Sequence, residues 1–284
     1  MIYDKVGPTA WKVAYQRTLA GIKYSKEIFD ELNPQIASAD QKQKDYFENA
    51  ITSKLTVVQI EARYKLVNRI LEEQKLNQVF EIASGLSPRG LSMAEANPDL
   101  IYVELDLPGM VNEKRRILSK IEAKLSIHIP NLKIESGDAL DYELLFAATK
   151  YFRQEKIVVI NEGLLRYLNF DQKAKVSQNV HKLLKHFGGV WITPDITLRK
   201  VILSEKADER QRIKDLTGMD IFANSFRNVE HAKEFFAQQG FEVELHSYSE
   251  VENELVSPTK LGLSKKEVTE IIKNVGGVFL MRII

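Results

Sequence analysis

Four short segments hold the residues whose types and spacing suit ligand chemistry. From Val79 to Leu91 the chain reads VFEIASGLSPRGL, an apolar run, a tight turn and a helix start. Gly85 carries no side chain, so the backbone there can approach a ligand closely. The helix that follows would offer its N-terminal amides. A dinucleotide site wants G-x-G-x-x-G at this point for a pyrophosphate. Here the glycine spacing differs and Pro88 removes one amide donor, so a plain strand-to-helix turn stays open as the alternative. The second segment, YVELDLP, ends an apolar run with Glu104 and Asp106, about twenty residues on. An acid at the carboxyl end of that strand suits the two vicinal hydroxyls of a ribose, because its two oxygens accept two hydrogen bonds. The third is Ser136-Gly137-Asp138-Ala139, where Asp138 can accept from an exocyclic amine such as that of adenine or close an Asx turn. The fourth is VVINEGLLRYL, in which an apolar run delivers Asn161 and Glu162 to its end. An acid there can pair with a ligand ammonium group or cap the turn.

For these segments to meet, their apolar runs must lie side by side in one sheet. The runs are 79–83, 101–105, 132–135, 157–160, 190–193, 241–245 and 278–283. Helix-like stretches fill most of the gaps, at 90–96, 110–125, 142–151, 171–187, 229–239 and 264–273. Alternating strand and helix predicts a doubly wound, Rossmann-like α/β fold with a seven-stranded, mostly parallel sheet covered by helices on both faces. A reversed final strand is compatible with the long connection 247–277. Gly188-Gly189, after a turn rich in Lys182, Lys185 and His186, reads as a helix stop. Residues 1–75 read as an N-terminal helical extension, with helices expected over 9–24, 41–49 (capped by Asp40) and 53–74, the last with a stripe of Leu55, Val58, Ile60, Leu66, Val67, Ile70 and Leu71. The expected domain division is 1–75 and 76–284, with insertions near 197–227 and 247–277.

Composition narrows the function classes. Forty basic and 39 acidic residues nearly cancel in a chain of 284, whereas nucleic-acid binders carry a basic bias. There is no cysteine, which removes disulfides, thiolate nucleophiles and cysteine-ligated zinc. No metal site is expected. No uninterrupted apolar stretch of about 18 residues occurs, so no spanning helix is expected. The chain reads as soluble and cytoplasmic, with neither a membrane nor a nucleic acid as partner.

Taken together, the four segments resemble a class I S-adenosylmethionine-dependent methyltransferase, and within that class the leucine carboxyl methyltransferase-like family, which includes protein phosphatase methyltransferases and polyketide O-methyltransferases. E-x-A-x-G-L-S-P-R is similar to the family's G-x-G-L-D-T-R, VELDLP to its E-x-D-x-P, and NEGLLRYL to its E-G-L-x-x-Y-L. Thr9-Ala10 and Arg17 resemble its T-A and R-A positions. The resemblance runs over most of residues 8–195. It implies S-adenosyl-L-methionine as cofactor, with Glu81, Ala83 and Gly85 at the cofactor turn, Asp106 on the ribose, Asp138 and Ala139 at the adenine, Glu162 on the methionine ammonium and Arg63 on the carboxylate. Two departures stand out: Ala83 takes the place of a glycine, and Ser87 that of an aspartate.

The implied activity is O-methyl transfer to a carboxylate or hydroxyl of a small molecule, or to a protein C-terminus. A carboxylate acceptor is ionised at neutral pH and needs no base; a phenol or alcohol would gain from one. No base can be assigned. Among the histidines His128, His181, His186, His231 and His246, the pair His181 and His186 reads as exposed on a helix. Arg166 and Tyr167, just after Glu162, are the acceptor-side candidates. The apolar Leu216, Met219, Ile221, Phe222 and Phe226 in the 197–227 insertion would either cover an acceptor pocket or pack a lid onto the sheet. Two rival readings are a non-catalytic Rossmann-like binding protein and a nicotinamide-dependent oxidoreductase, which would need the missing three-glycine fingerprint.

Overall fold

The computed structural model describes residues 2–50, 54–204, 211, 214–215, 218–273 and 276–284. Ser53 and Leu216 lie outside them. The seven apolar runs form seven strands: β1 (Gln78–Ile82), β2 (Ile101–Asp106), β3 (Leu132–Ser136), β4 (Ile157–Asn161), β5 (Gly189–Thr193), β6 (Phe241–Ser247) and β7 (Gly277–Ile283). They make one sheet in the order β3-β2-β1-β4-β5-β7-β6. β1 to β5 are parallel. β7 runs antiparallel to both β5 and β6. Every residue of β1 and β4 is buried, which is why these strands read as near-continuous apolar runs. From β1 the sheet grows outward through β2 and β3, and then restarts on the other side at β4. That reversal puts a switch in strand order at the carboxyl ends of β1 and β4, the edge where ligands bind in sheets of this kind.

The helices are α1 (Ile2–Leu19), α2 (Ser25–Asp30), α3 (Asn33–Ser38), α4 (Gln41–Ala50), α5 (Lys54–Glu73), α6 (Arg89–Ala96), α7 (Pro108–Leu125), α8 (Tyr142–Ala148), α9 (Phe170–Phe187), α10 (Arg199–Ser204), α11 (Val229–Gln238), α12 (Ser257–Leu261) and α13 (Lys265–Lys273). One face of the sheet packs on α5, α6, α7 and α13, with Trp11 and Ala14 of α1 and Ile28 of α2 in the same core as Val79, Ile160 and Ile192. The opposite face packs on α8, α9 and α11 through Leu145, Val176, Leu183 and Phe236.

Some boundaries differ from expectation for local reasons. The helix expected over 9–24 runs from Ile2 to Leu19 and stops before two left-handed residues, Gly21 and Tyr24. Leu55, placed on the buried stripe of α5, is 54% exposed. The helix expected over 142–151 tightens after Ala148 into a 3-10 turn, Thr149–Tyr151. Asp40 does cap α4, accepting from the Gln43 amide at 2.8 Å while Gln43 Oε1 accepts from the Asp40 amide.

Candidate functional site at the carboxyl edge of the sheet

After β1 the chain turns through Ala83 and Gly85, both left-handed with φ of 55° and 51°. The Ala83 amide donates to Leu105 O at 2.7 Å, tying the turn to β2. A Cβ built on Gly85 would meet nothing within 4 Å, so the turn borders open space. Ala83 holds a conformation that costs a residue with a Cβ about 1–2 kcal/mol.

Asp106 lies against this turn. Its Oδ2 accepts from the Gly85 amide and its Oδ1 from the Leu107 amide, both at 2.7 Å. Burial raises its carboxyl above the usual range, and the two amides offset part of that. A carboxylate has about four acceptor positions, so two remain for hydroxyls. Glu104, the other acid of the segment, points away from the edge. It pairs with Lys114 of α7 at 2.5 Å, fully buried, and burial pushes its carboxyl up to about 7. It is a packing group of the α7 face. At the tip of β3, Asp138 Oδ1 accepts from the Leu140 amide at 2.9 Å, the Asx turn. Ala139 is buried and its carbonyl accepts from Asn179 of α9.

Glu162 follows β4 and is enclosed by guanidinium groups. Arg17 of α1 donates to Oε1 at 2.7 Å. Arg63 of α5 donates twice to Oε1, at 3.1 and 2.8 Å. Arg89 of α6 donates to Oε2 at 2.7 Å. Burial alone would raise this carboxyl, but the three cations outweigh it and hold Glu162 well below the usual carboxylate range. Arg89 is fixed by all three of its arms: Nη1 donates to Glu81 at 2.6 Å and Nε to Asn68 at 2.8 Å. Tyr64 lies under Arg89, 4.7 Å from ring centroid to guanidinium carbon. Glu81 also accepts from Tyr102 at 2.7 Å and is fully buried. It therefore acts on Arg89, and the expectation that Glu81 lines the cofactor turn gives way to an interior one.

The loop after Glu162 is shaped by Asp195, which follows β5. Asp195 Oδ1 accepts from the Gly163 amide at 2.7 Å. Oδ2 accepts from the Leu164 and Leu165 amides at 2.6 and 3.0 Å and from Asn161 Nδ2 at 2.8 Å. Asn161 in turn accepts from the Trp191 indole. Gly163 is left-handed, and a Cβ there would also meet nothing within 4 Å. Arg166 and Tyr167 lie in a 3-10 turn (Leu165–Tyr167) on the same loop, the guanidinium 5.6 Å from the ring centroid. Lys173 of α9 is buried and donates to Leu168 O and to Asn224 O, which ties the 197–227 insertion to this loop; burial lowers its ammonium to about 8.

Thus Gly85, Ala83, Asp106, Asp138, Arg63 and Glu162 all lie at or beside the carboxyl ends of β1 to β4. Arg89 and Asp195 were not singled out from sequence; the arginine closing the S-P-R turn was the available signal for the first. Phe226, offered above as a pocket or lid residue, is fully buried among Phe170, Phe235 and Phe236, on the α9 face. Phe222 is 38% exposed. His181 is half-buried, edge-on to Phe241, so of the two α9 histidines only His186 is exposed as expected. No group of histidine and acidic side chains suited to a metal ion occurs among the described residues, and no helix of the described residues is long and apolar enough to cross a membrane.

The sequence profile of the leucine carboxyl methyltransferase family matches residues 13–181. The chain belongs to the leucine carboxyl methyltransferase family. The matched segment runs from α1 into α9 and so contains all four strand tips, whereas Asp195 lies beyond it. No curated protein matches. Among solved structures, a DUF574 family protein from Streptomyces avermitilis is similar over 95% of this chain and 96% of its own, at 14% identity and a TM-score of 0.55. The O-methyltransferase NcsB1 of neocarzinostatin biosynthesis, in complex with S-adenosylmethionine and 2-hydroxy-5-methyl naphthoic acid, is similar over 93% of this chain and 63% of its own, at 13% identity and 0.51. PigF with SAH follows at 91% and 70%, 12% identity and 0.51. This family member spans 58% and 43% of the lengths of two further matching structures. The likenesses to the DUF574 family protein, NcsB1 and PigF show a shared fold.

Proposed function

We propose that this chain is an S-adenosyl-L-methionine-dependent O-methyltransferase acting on a carboxylate or hydroxyl of a small molecule. The observation that carries the reading is the meeting, at one reversal of strand order, of an open glycine turn, a carboxylate with spare acceptor positions and an enclosed Glu162 cluster. The residues fit the cofactor chemically. Space opens at both Gly85 and Gly163. Two buried polar atoms beside it, Ser84 Oγ and Arg17 Nε, have no partner among the described residues. Arg17, Arg63 and Arg89 face Glu81, Glu162 and the nearby Asp195, three charges of each sign. A balanced cluster suits a zwitterion, whose ammonium and carboxylate add no net charge.

When bound, the cofactor supplies a methyl group on a positively charged sulfur, an activated leaving group. Asp106 would bind the ribose hydroxyls, Asp138 and Ala139 would flank the adenine, and the backbone at Ala83 and Gly85 would pass close to the ligand. Glu162, whose four acceptor positions are filled by Arg17, Arg63 and Arg89, would take the ammonium as Arg63 turns from it to the ligand. Arg63, the least buried of the three arginines, would take the carboxylate. What remains is alignment and exclusion of water. Arg166 and Tyr167, in the turn after Glu162, are the acceptor-side residues of this reading. The naphthoic acid in the NcsB1 complex supports a small-molecule acceptor over a protein C-terminus.

Titration calorimetry tests the reading. S-adenosylhomocysteine is expected to bind with a Kd on the order of micromolar, about 8 kcal/mol, and NAD not to bind. NAD binding without a response to S-adenosylhomocysteine overturns it. Methyl-labelled cofactor incubated with a broad panel of small organic acids and phenols is then expected to label a product; labelling only of a peptide C-terminus would move the acceptor to protein.

A further inference from the structure

We infer that Asp195 is a positioning residue for Glu162, and through it for the amino-acid end of the cofactor; this rests on the methyltransferase reading above. Asp195 is 4% exposed and makes no direct ion pair among the described residues. Instead its two oxygens gather three successive backbone amides, those of Gly163, Leu164 and Leu165, and the Asn161 side chain. These donors bracket Glu162 on both sides in sequence. A carboxylate that collects consecutive amides fixes the backbone dihedrals between them, because each amide direction is set by its two neighbouring rotations. The left-handed Gly163 completes the bend. Asp195 is itself pinned, since its amide donates to Thr193 Oγ1 at 3.1 Å. Trp191 and Asn161 brace it from β5 and β4. With its Cα leaving β4 in this direction, the carboxylate of Glu162 meets three arginines from α1, α5 and α6.

Charge argues the same way. Four neutral donors do not cancel the Asp195 charge, and Arg63 senses it through space. Asparagine at this position would keep the size, turn one acceptor into a donor facing donors, and leave the arginine cluster with an excess positive charge. The cost therefore falls on the zwitterionic end of the ligand and spares the nucleoside end, which is held by Asp106 and the Gly85 turn.

The test compares two probes that share a nucleoside, S-adenosylhomocysteine and 5′-methylthioadenosine, the second lacking the amino-acid end. For Asp195→Asn, the Kd of S-adenosylhomocysteine is expected to rise about tenfold while that of methylthioadenosine stays nearly constant. Thr193→Val, which keeps the shape but removes the oxygen that holds the Asp195 amide, is expected to give a smaller shift of the same selectivity, and decides the matter if Asp195→Asn does not fold. Equal weakening of both probes, or of neither, in a folded variant overturns the positioning role while leaving the methyltransferase reading intact. A wild-type chain that binds neither probe overturns both.

Discussion

Two carboxylates stand at strand tips on either side of the sheet reversal, and they are satisfied in opposite ways. Asp106 receives two backbone amides and keeps room for more partners. Glu162 receives four hydrogen bonds from three guanidinium groups and is nearly enclosed. An acid served by amides stays available as an acceptor, because amides occupy one lone pair each and carry no charge. An acid served by cations becomes the anchor of a charge cluster that also ties the N-terminal helices to the sheet. The β2 tip is thus expected to matter for ligand affinity, and the β4 tip for both affinity and stability.

The largest test is Arg89→Ala. It leaves buried Glu81 with Tyr102 but no cation among the described residues, removes one of the three arginines on Glu162, and should cost about 3–5 kcal/mol of stability by urea denaturation. A loss below about 1 kcal/mol would mean the cluster is not an anchor. Glu162→Gln should cost somewhat less, about 2–3 kcal/mol for lost charged hydrogen bonds, and its pH dependence sharpens the point. The folded-state value of Glu162 lies well below that of the unfolded chain. Its contribution is therefore present in full above the unfolded pKa of about 4.3 and lost as pH falls through the folded value. The stability gap between wild type and Glu162→Gln should be constant from pH 7 to about 5 and close below that. Asp106→Asn should weaken S-adenosylhomocysteine about tenfold through one lost hydroxyl contact, with a change in urea midpoint no larger than that of a lost amide bond. A larger loss of stability than of affinity would erase the contrast between the tips. The smallest effect is Ala83→Gly. Relief of the left-handed strain, less the extra freedom glycine gains when unfolded, should stabilise the turn by about 0–1 kcal/mol, read by thermal melting.

What sequence made legible follows from burial. The strands on both sides of the reversal are shielded on two faces, so Ile157–Ile160 is an unbroken apolar run and Val79–Ile82 is one interrupted only by Glu81. Gly85, Asp106 and Glu162 were readable because each sits within a residue or two of such a run. The Arg17, Arg63 and Arg89 clamp was not, because its members lie 145, 99 and 73 residues from Glu162, and no local pattern records who meets whom at that distance. Glu104 and Asp106 look alike in sequence, two residues apart and on the same side of β2. What separates them is Lys114, arriving from α7 to claim one of them. The inward turn of Glu81 has the same origin, in Tyr102 on the neighbouring strand. Asp195 escaped notice because its partners are main-chain amides, which every sequence has everywhere.

The reversed strand β7 is the sole link between β6 and the rest of the sheet. Without residues 277–284, β6 would lose its entire ladder and β5 would present a bare, unshielded edge of Trp191, Ile192 and Thr193 to any passing chain. Exposed apolar edges recruit other strands. A version cut before Gly277 is thus expected to precipitate even though the four tips proposed to gather the ligand belong to strands that keep their own pairing, so that β7 acts as a keystone for strands it does not pair with.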